Sequence, residues 1–211
     1  FGYASKTFHA PLIGGTPGVA LKAVASSDAE KVHADWPGVK VMSTPGDLLD
    51  DPDIDLVVIA TPNDTHFPLA KAALEAGKHV VVDKPFTVTL SQARELESLA
   101  KHCGRILSVF HNRRWDSDFL TVSALINEGQ LGEVCYFESH FDRFRPQVRQ
   151  RWREQAGPGS GIWYDLAPHL LDQVVVLFGL PVSITVDLAQ LRPGAQSTDY
   201  FHAVLAYPQR R

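Results

Sequence analysis

Residues 53–83 read DIDLVVIATPNDTHFPLAKAALEAGKHVVVD, and this stretch decides the fold. Its first part, 53–60, has a polar start and an apolar finish, which predicts a buried strand. An amphipathic helix is predicted over 64–76, with Gly77 ending it. A second apolar strand is predicted over 79–83. Apolar strands that alternate with helices are typical of a parallel sheet covered on both faces.

The same pattern extends to both sides of this stretch. Strands are predicted over 21–25 and 106–110, and a helix over Ser91 to His102 with Ser91 as its N-cap and Gly104 as its stop. The sequence therefore predicts a doubly wound parallel sheet, the Rossmann dinucleotide-binding architecture, in a first domain of residues 1–110.

The second half of the chain differs in character. Helices are predicted over 118–128 and 162–178, and strands over 133–141, 182–188 and 200–207. Longer strands around one helix predict an α+β domain over residues 111–211, with the boundary near His111.

Composition excludes several classes of protein. The 211 residues carry a net charge of −4, so attraction to nucleic acid or to an acidic membrane is not expected. The two cysteines, Cys103 and Cys135, form no metal-binding or disulfide pattern. We see neither a secretory signal nor an apolar run long enough to span a bilayer, so the cytoplasm is the expected location.

Because no strand precedes the first helix signal and the chain stops directly after a strand, we expect the natural protein to extend beyond both ends.

The first residues, FGYAS, resemble the tail of a Gly-x-Gly-x-x-Gly phosphate-binding turn. Gly2 would be the middle glycine, where the backbone approaches a pyrophosphate, and Tyr3 would follow it. On half a motif, an ordinary loop glycine remains the alternative.

The end of the second strand of a dinucleotide fold reads the adenosine ribose, and here Ser26, Ser27 and Asp28 follow the predicted strand. A hydroxyl at Ser26 with the ammonium of Lys31 suits a 2′-phosphate and favours NADP. The alternative is that Ser26 caps a helix and Lys31 is a solvated charge.

Two loops follow apolar strands, where parallel sheets bind ligands. The first holds Thr61, Pro62 and Asn63, although Asn63 or Asp64 would serve equally as a helix N-cap. In the second, Lys84 stands before a proline, as a fixed cation that would stabilise a developing alkoxide. A surface lysine beside a turn is the alternative.

Asp165 and His169 share one face of the predicted 162–178 helix, where a carboxylate would orient an imidazole that takes an alcohol proton. A helix-surface ion pair is the alternative. A metal site built from His140, His169 and Asp172 is a weaker one. The five arginines between 143 and 153 indicate a solvated face or one side of an anionic cofactor pocket, more than a nucleic-acid surface.

Taken together, these motifs resemble the glucose–fructose oxidoreductase / inositol dehydrogenase / rhizopine-catabolism family. The matching segments are Gly2, ATPN with His66, AGKHV leading to Asp83-Lys84-Pro85, Asn112-Arg113-Arg114, and 159–169. Within the family, HNRRWD (111–116) and RWRE (151–154) look most like NADP-dependent scyllo-inositol dehydrogenases.

The resemblance implies a fold, a reaction and a set of roles. It implies a Rossmann domain followed by a domain with a large open, mainly antiparallel sheet, often used to form dimers or tetramers. It implies hydride transfer between NADP, or alternatively NAD, and a hydroxyl or carbonyl carbon of a cyclic polyol or sugar, with no metal.

The implied catalytic residues are Lys84, Asp165 and His169. The implied cofactor-lining residues are Gly2, Tyr3, Ser26, Ser27, Lys31, Thr61, Pro62, Asn63, His66, Asp83, Lys84, Asn112 and Arg113. Asp83 stands where the family more often has Glu, which shortens its reach to the nicotinamide ribose. The competing hypothesis is a regulator or assembly partner that binds the cofactor without turnover.

Overall fold

The computed structural model describes residues 1–208 and divides into two compact units, Phe1–Phe110 and a second that begins at His111. Residues 209–211, the last of the predicted second domain, lie outside the described residues.

The first unit alternates strands with helices. Its strands are β1 (Ala23–Ala25), β2 (Lys40–Met42), β3 (Leu56–Ile59), β4 (His79–Asp83) and β5 (Leu107–Phe110). Its helices are α1 (Ala10–Gly15), which a π-helical turn over Ser5–His9 precedes, α2 (Ala29–His33), α3 (Pro45–Asp50), α4 (His66–Glu75) and α5 (Leu90–Cys103).

All strands of the first unit pair in parallel, which confirms the predicted sheet type. One ladder joins β1 to β2, and another runs in the order β3–β4–β5. Among residues 1–208, the remaining edges of β1 and β3 carry no ladder partner. The register of the larger sheet sets Ile59 beside Val82 and Asp83 beside Phe110, so its strands end at one common edge.

The core of the first unit forms where α4 and α5 cover the β3–β4–β5 sheet. Leu74, Val80, Val82 and Leu96 are fully buried there. Burying a side chain of this kind contributes about 1.5–3 kcal/mol, so this layer fixes the position of the strand ends.

The predicted helices agree with the observed ones to within one or two residues at each end, but the predicted N-caps do not. Gly104 ends α5 in the left-handed conformation, with a φ of 62°, as predicted. The prediction of Ser91 as N-cap is wrong, because Thr89 accepts from the backbone of Gln92 and forms a capping box with it. Capping of α4 by Asn63 or Asp64 is also wrong, since a 3₁₀ turn over Asn63–Thr65 leads into that helix.

The described residues of the second unit form two α-helices, α6 (Ser117–Asn127) and α7 (Gly161–Phe178), and an antiparallel pair of strands, β6 (Ser183–Ala189) and β7 (Tyr200–Ala206). Short 3₁₀ helices lie at Asn112–Trp115 and Trp152–Glu154. The strand predicted over 133–141 is wrong. Its residues form no ladder with any strand in the part of the chain that the structure describes. Alternation alone marks two faces, and a strand also needs a hydrogen-bonded neighbour.

Candidate functional site

The carboxyl ends of β3 and β4 bring two of the predicted loops together. Thr61 and Pro62 follow β3 and are exposed, whereas Asn63 is only 5% exposed. Lys84 follows β4 directly and is half-buried. The parallel register makes these loops neighbours, so the structure forms a polar edge of the kind at which such sheets bind ligands.

His66 lies behind this edge. It is fully buried, with its Nδ1 2.8 Å from the carbonyl oxygen of Pro85 and its Nε2 3.0 Å from that of Thr61. Its ring therefore contacts the two loops from inside, and the expectation that His66 lines the cofactor stays a prediction.

The Asp83 carboxylate faces the backbone of Lys84 and the side chain of His9, the last residue of the π-helical turn before α1. Its Oδ1 accepts from the backbone N–H of Lys84 at 2.8 Å, and its Oδ2 lies 3.5 Å from His9 Nε2. Burial raises the pKa of Asp83, but the bond and charge of His9 and the N–H of Lys84 outweigh it and hold that pKa below its ordinary value. The carboxylate thus anchors the Lys84 backbone, and its expected contact with the nicotinamide ribose stays a prediction.

His9 is a site residue that the sequence did not reveal. It is 6% exposed and its ring packs on Phe110, with centroids 4.3 Å apart. Its partner Asp83 lies 74 positions along the chain, and no motif contains both residues. Only the placement of the first helix across the ends of β4 and β5 reveals the pair.

The first glycine and the β1 loop form the other part of the first unit's site. Gly2 precedes the helical residues that start at Tyr3, and both residues are exposed. A Cβ at Gly2 would meet nothing within 4 Å, so the space in front of the helix start is open. Such a helix start offers unpaired N–H groups to an anion.

The loop after β1 shows which residue caps α2. Asp28 is the N-cap and accepts from the backbone N–H of Lys31 at 3.0 Å. Ser26 exchanges hydrogen bonds with the backbone of Asp28, so the alternative in which Ser26 caps the helix is wrong. Ser27 and the side chain of Lys31 are exposed. With the Asp28 carboxylate engaged in capping, exposed hydroxyl and ammonium groups remain at the loop surface.

These features fit a dinucleotide. Phosphate and ribose require the open space at Gly2, the helix start that follows it, and the exposed hydroxyl and ammonium of the β1 loop. The exposed Thr61–Pro62 turn and Lys84 supply a second polar wall at the sheet edge.

In the second unit, α7 carries Asp165 and His169. His169 is 6% exposed, which argues against a mere helix-surface pair. Arg153 Nε lies 3.5 Å from Asp165 Oδ1, so an arginine of the preceding segment sits against the predicted catalytic carboxylate.

The turn that opens the second unit is tied to α7. Asp172 receives a bidentate pair from Arg114 at 2.6 and 2.7 Å, and Arg113 O accepts from Gln173 Nε2 at 2.9 Å. Burial, above all, lowers the pKa of His111; Arg114 adds to this effect and Asp172 opposes it. The guanidinium of Arg113 bonds Asp116 at 2.7 Å, and Asn112 beside it is half-buried.

A buried ionic cluster braces the segment before α7. Glu154 is 7% exposed and bonds Arg151 Nε at 2.6 Å, while Arg192 lies 3.2 Å from it and also bonds Asp199 at 2.8 Å. Burial raises the pKa of Glu154, yet the N–H of Arg149 and the Arg151 side chain lower it overall. The cluster links the 149–154 segment to the loop between β6 and β7.

That same loop touches the start of α7. Ile162 N donates to Thr198 O at 2.7 Å, and Gly161, with a φ of 86°, lies against Thr198. A Cβ at Gly161 would collide with Thr198 Oγ1 and reach its backbone N and O at 3.0 Å. Only glycine fits this position.

The weaker metal interpretation is wrong. Asp172 is bound by Arg114, and His140 lies beside Glu138 and Asp142 at 3.1 and 3.6 Å. Within residues 1–208, no three His, Cys, Asp or Glu side chains gather as a metal site would require. In the same residues, none of the helices has the length and apolar character needed to cross a membrane.

Two family models match the chain. The first, described as an oxidoreductase family with an NAD-binding Rossmann fold, matches residues 1–111. The second, described as the C-terminal alpha/beta domain of the oxidoreductase family, matches residues 123–211.

Similar proteins agree with these matches. The uncharacterized oxidoreductase YdgJ of Escherichia coli strain K12 is 80% identical over 211 residues, which cover 100% of this chain and 61% of that protein. The scyllo-inositol 2-dehydrogenase (NADP(+)) IolW of Bacillus subtilis strain 168 is 39% identical, over 98% of this chain and 58% of that protein. The solved structure of YPO2259 from Yersinia pestis is 70% identical with a TM-score of 0.93, over 100% of this chain and 60% of that one. The chain thus spans about three fifths of the length of these relatives.

Proposed function

Because this chain belongs to the oxidoreductase family with an NAD-binding Rossmann fold and a C-terminal alpha/beta domain, we propose that the whole protein is an NAD(P)-dependent dehydrogenase or reductase. Its reaction is hydride transfer between nicotinamide and a hydroxyl or carbonyl carbon of a cyclic polyol or sugar. Scyllo-inositol is the first substrate to test, since a relative of 39% identity is named for that reaction. The observation that carries the proposal is Lys84, anchored at the ligand-binding edge of a matched dinucleotide fold.

The cofactor residues of the proposal fall into two groups. Gly2, Tyr3, Ser26, Ser27 and Lys31 take the phosphates and the adenosine ribose. Thr61, Pro62, Asn63 and Lys84 take the nicotinamide half, and Asp83 supports Lys84 from behind. Asn112 and Arg113, which the family resemblance adds to the cofactor residues, stay predictions. The exposure of Gly2, Ser27 and Lys31 supports the first group.

The mechanism assigns one task to each side chain. The bound nicotinamide supplies the hydride acceptor or donor. Lys84 donates a hydrogen bond to the substrate oxygen and stabilises its developing negative charge. His169 Nδ1 or Nε2 takes the hydroxyl proton during oxidation and returns it during reduction. Asp165, with Arg153 against it, orients the substrate or the imidazole.

NADP is the proposed cofactor. An exposed ammonium at Lys31 attracts a 2′-phosphate. The Asp28 carboxylate accepts from the backbone N–H of Lys31 as the α2 N-cap, which fixes its direction at the start of that helix. The NADP(+) in the name of the Bacillus subtilis relative supports the same preference.

Cofactor choice is tested by titrating the tryptophan fluorescence of the full-length protein with NADPH and NADH in parallel. We expect tighter NADPH binding and, for Lys31→Ala, about a tenfold loss of NADPH affinity with little change for NADH. Lys22→Ala, on an exposed lysine paired with Asp53, is the matched control. Equal loss for both cofactors would contradict the role of Lys31.

Catalysis is tested by a polyol and sugar panel with both cofactors. Lys84→Ala and His169→Ala should each lose turnover, whereas Lys101→Ala, which removes an exposed lysine paired with Glu97, should not. Parental turnover in the Lys84 and His169 variants would refute the mechanism. Tight NADPH binding without turnover on any compound would favour the cofactor-binding regulator instead. A cytoplasmic location and a dimeric or tetrameric assembly stay predictions.

A further inference from the structure

His66 contacts both of the neighbouring loops that follow β3 and β4. Its side chain is 0% exposed, and its two ring nitrogens face the carbonyl oxygens of Thr61 and Pro85 at 3.0 and 2.8 Å. Thr61 begins the turn after β3, and Pro85 directly follows Lys84 after β4. One rigid ring therefore contacts both the turn that begins at Thr61 and the loop that contains Lys84.

Both partners of the ring are acceptors. A carbonyl oxygen only accepts, so every bond here uses an N–H of the imidazole; the neutral ring donates one and the protonated ring donates two. A buried carbonyl that loses its donor is costly, because no water replaces the donor. Leucine or phenylalanine at this position would fill the space without holding either loop.

We propose that His66 is a positioning residue that fixes Lys84 relative to the Thr61–Pro62 turn. Its ring holds the carbonyl of Pro85 on one side and that of Thr61 on the other, so it sets where the Lys84 side chain leaves the end of β4. Asp83 acts on the same lysine from the other side, through the Lys84 N–H. This inference rests on the proposed function, which gives Lys84 its task.

The consequence for activity follows from geometry. Loss of the His66 bonds lets the two loops drift apart, and a misplacement near 1 Å costs on the order of 10²-fold in rate. The cofactor binds against the Thr61–Pro62 turn, so its KM rises as kcat falls. A residue that only stabilised the fold would leave both values unchanged in the folded fraction.

The test compares three variants of the full-length protein. His66→Leu removes every imidazole N–H donor, and His66→Gln keeps an amide N–H donor for one carbonyl. His79→Gln is the matched control, because His79 lies at the opposite end of β4 and accepts from the backbone N–H of Ile106 at 2.9 Å. Steady-state kinetics give kcat and the cofactor KM. Hydrogen-exchange mass spectrometry gives the protection of peptides over 61–66 and 84–89.

We expect His66→Leu to lose about 10²-fold in kcat, His66→Gln to lose less, and His79→Gln to keep the parental kinetics. Exchange should rise in both peptides for the His66 variants and in neither for His79→Gln. Parental kinetics and exchange in folded His66→Leu, or equal losses in His66→Leu and His79→Gln, would overturn the proposal. If His66→Leu does not fold, His66→Gln decides. If the parental protein has no turnover, the proposed function fails. The exchange data would still test whether His66 holds the two loops together.

Discussion

Replacing Gly161 with alanine tests how tightly the start of α7 is held. The φ of 86° places the residue in the left-handed region, where a Cβ costs roughly 1–2 kcal/mol. The same Cβ collides with Thr198 Oγ1 and comes within 3.0 Å of the Thr198 backbone, and overpacking of this kind costs about 1–3 kcal/mol. Together these terms predict a loss of roughly 2–5 kcal/mol.

The assay is urea and thermal unfolding of the full-length protein. At about 2–4 °C for each kcal/mol, Tm should fall by roughly 4–20 °C. Gly157→Ala is the matched control, because its Cβ meets nothing within 4 Å and its φ is not in the left-handed region. Thr198→Ala in the Gly161→Ala background should recover part of the loss, since the Oγ1 collision disappears and the backbone approach stays. Equal effects of Gly161→Ala and Gly157→Ala would refute the reasoning.

Two further predictions concern the first unit. The pKa of Asp83 is lowered in the fold, so its carboxylate stabilises the folded protein at pH values above the ordinary carboxyl pKa. That stabilisation is lost as the pH falls through the lowered pKa. Urea unfolding of Asp83→Asn should therefore show a weaker pH dependence below about pH 4 than that of the parental protein. Thr89→Ala should lower the free energy of unfolding by about 1 kcal/mol through loss of the α5 cap, and Ser91→Ala by less than about 0.5 kcal/mol. The same urea unfolding measures both. The reverse order would contradict the observed capping box.

Local chemistry made some elements predictable. The bounds of β4 are those predicted, because an apolar run ends at a polar Asp83 followed by proline. Gly104 ends α5 because only glycine adopts its conformation without strain. The cap of α5 was misplaced because Thr89 and Ser91 offer the same hydroxyl, and only the reach to Gln92 distinguishes them.

Features that depend on distant partners were not predictable. Alternation over 133–141 indicates a strand, but whether a ladder forms depends on a neighbour that alternation does not name. His9 meets Asp83 and His66 meets Pro85 only after helices are placed on the sheet. The motif containing His66 marked it as important, yet which way its ring faces is set by packing against two loops.

The loop between β6 and β7 bears on the order in which the second unit folds. Ser197 bonds the Arg153 carbonyl across 44 positions, and Arg192 bonds that of Arg145 across 47. Helix α7 forms from local hydrogen bonds, but the glycine-rich turn ahead of it acquires its shape only once these distant segments have met. Closing such long loops is entropically slow. The surroundings of Asp165 therefore depend on contacts between distant segments, whereas the helix that carries it depends on local ones, so a substitution at Ser197 or Arg192 would disturb those surroundings and leave α7 itself intact.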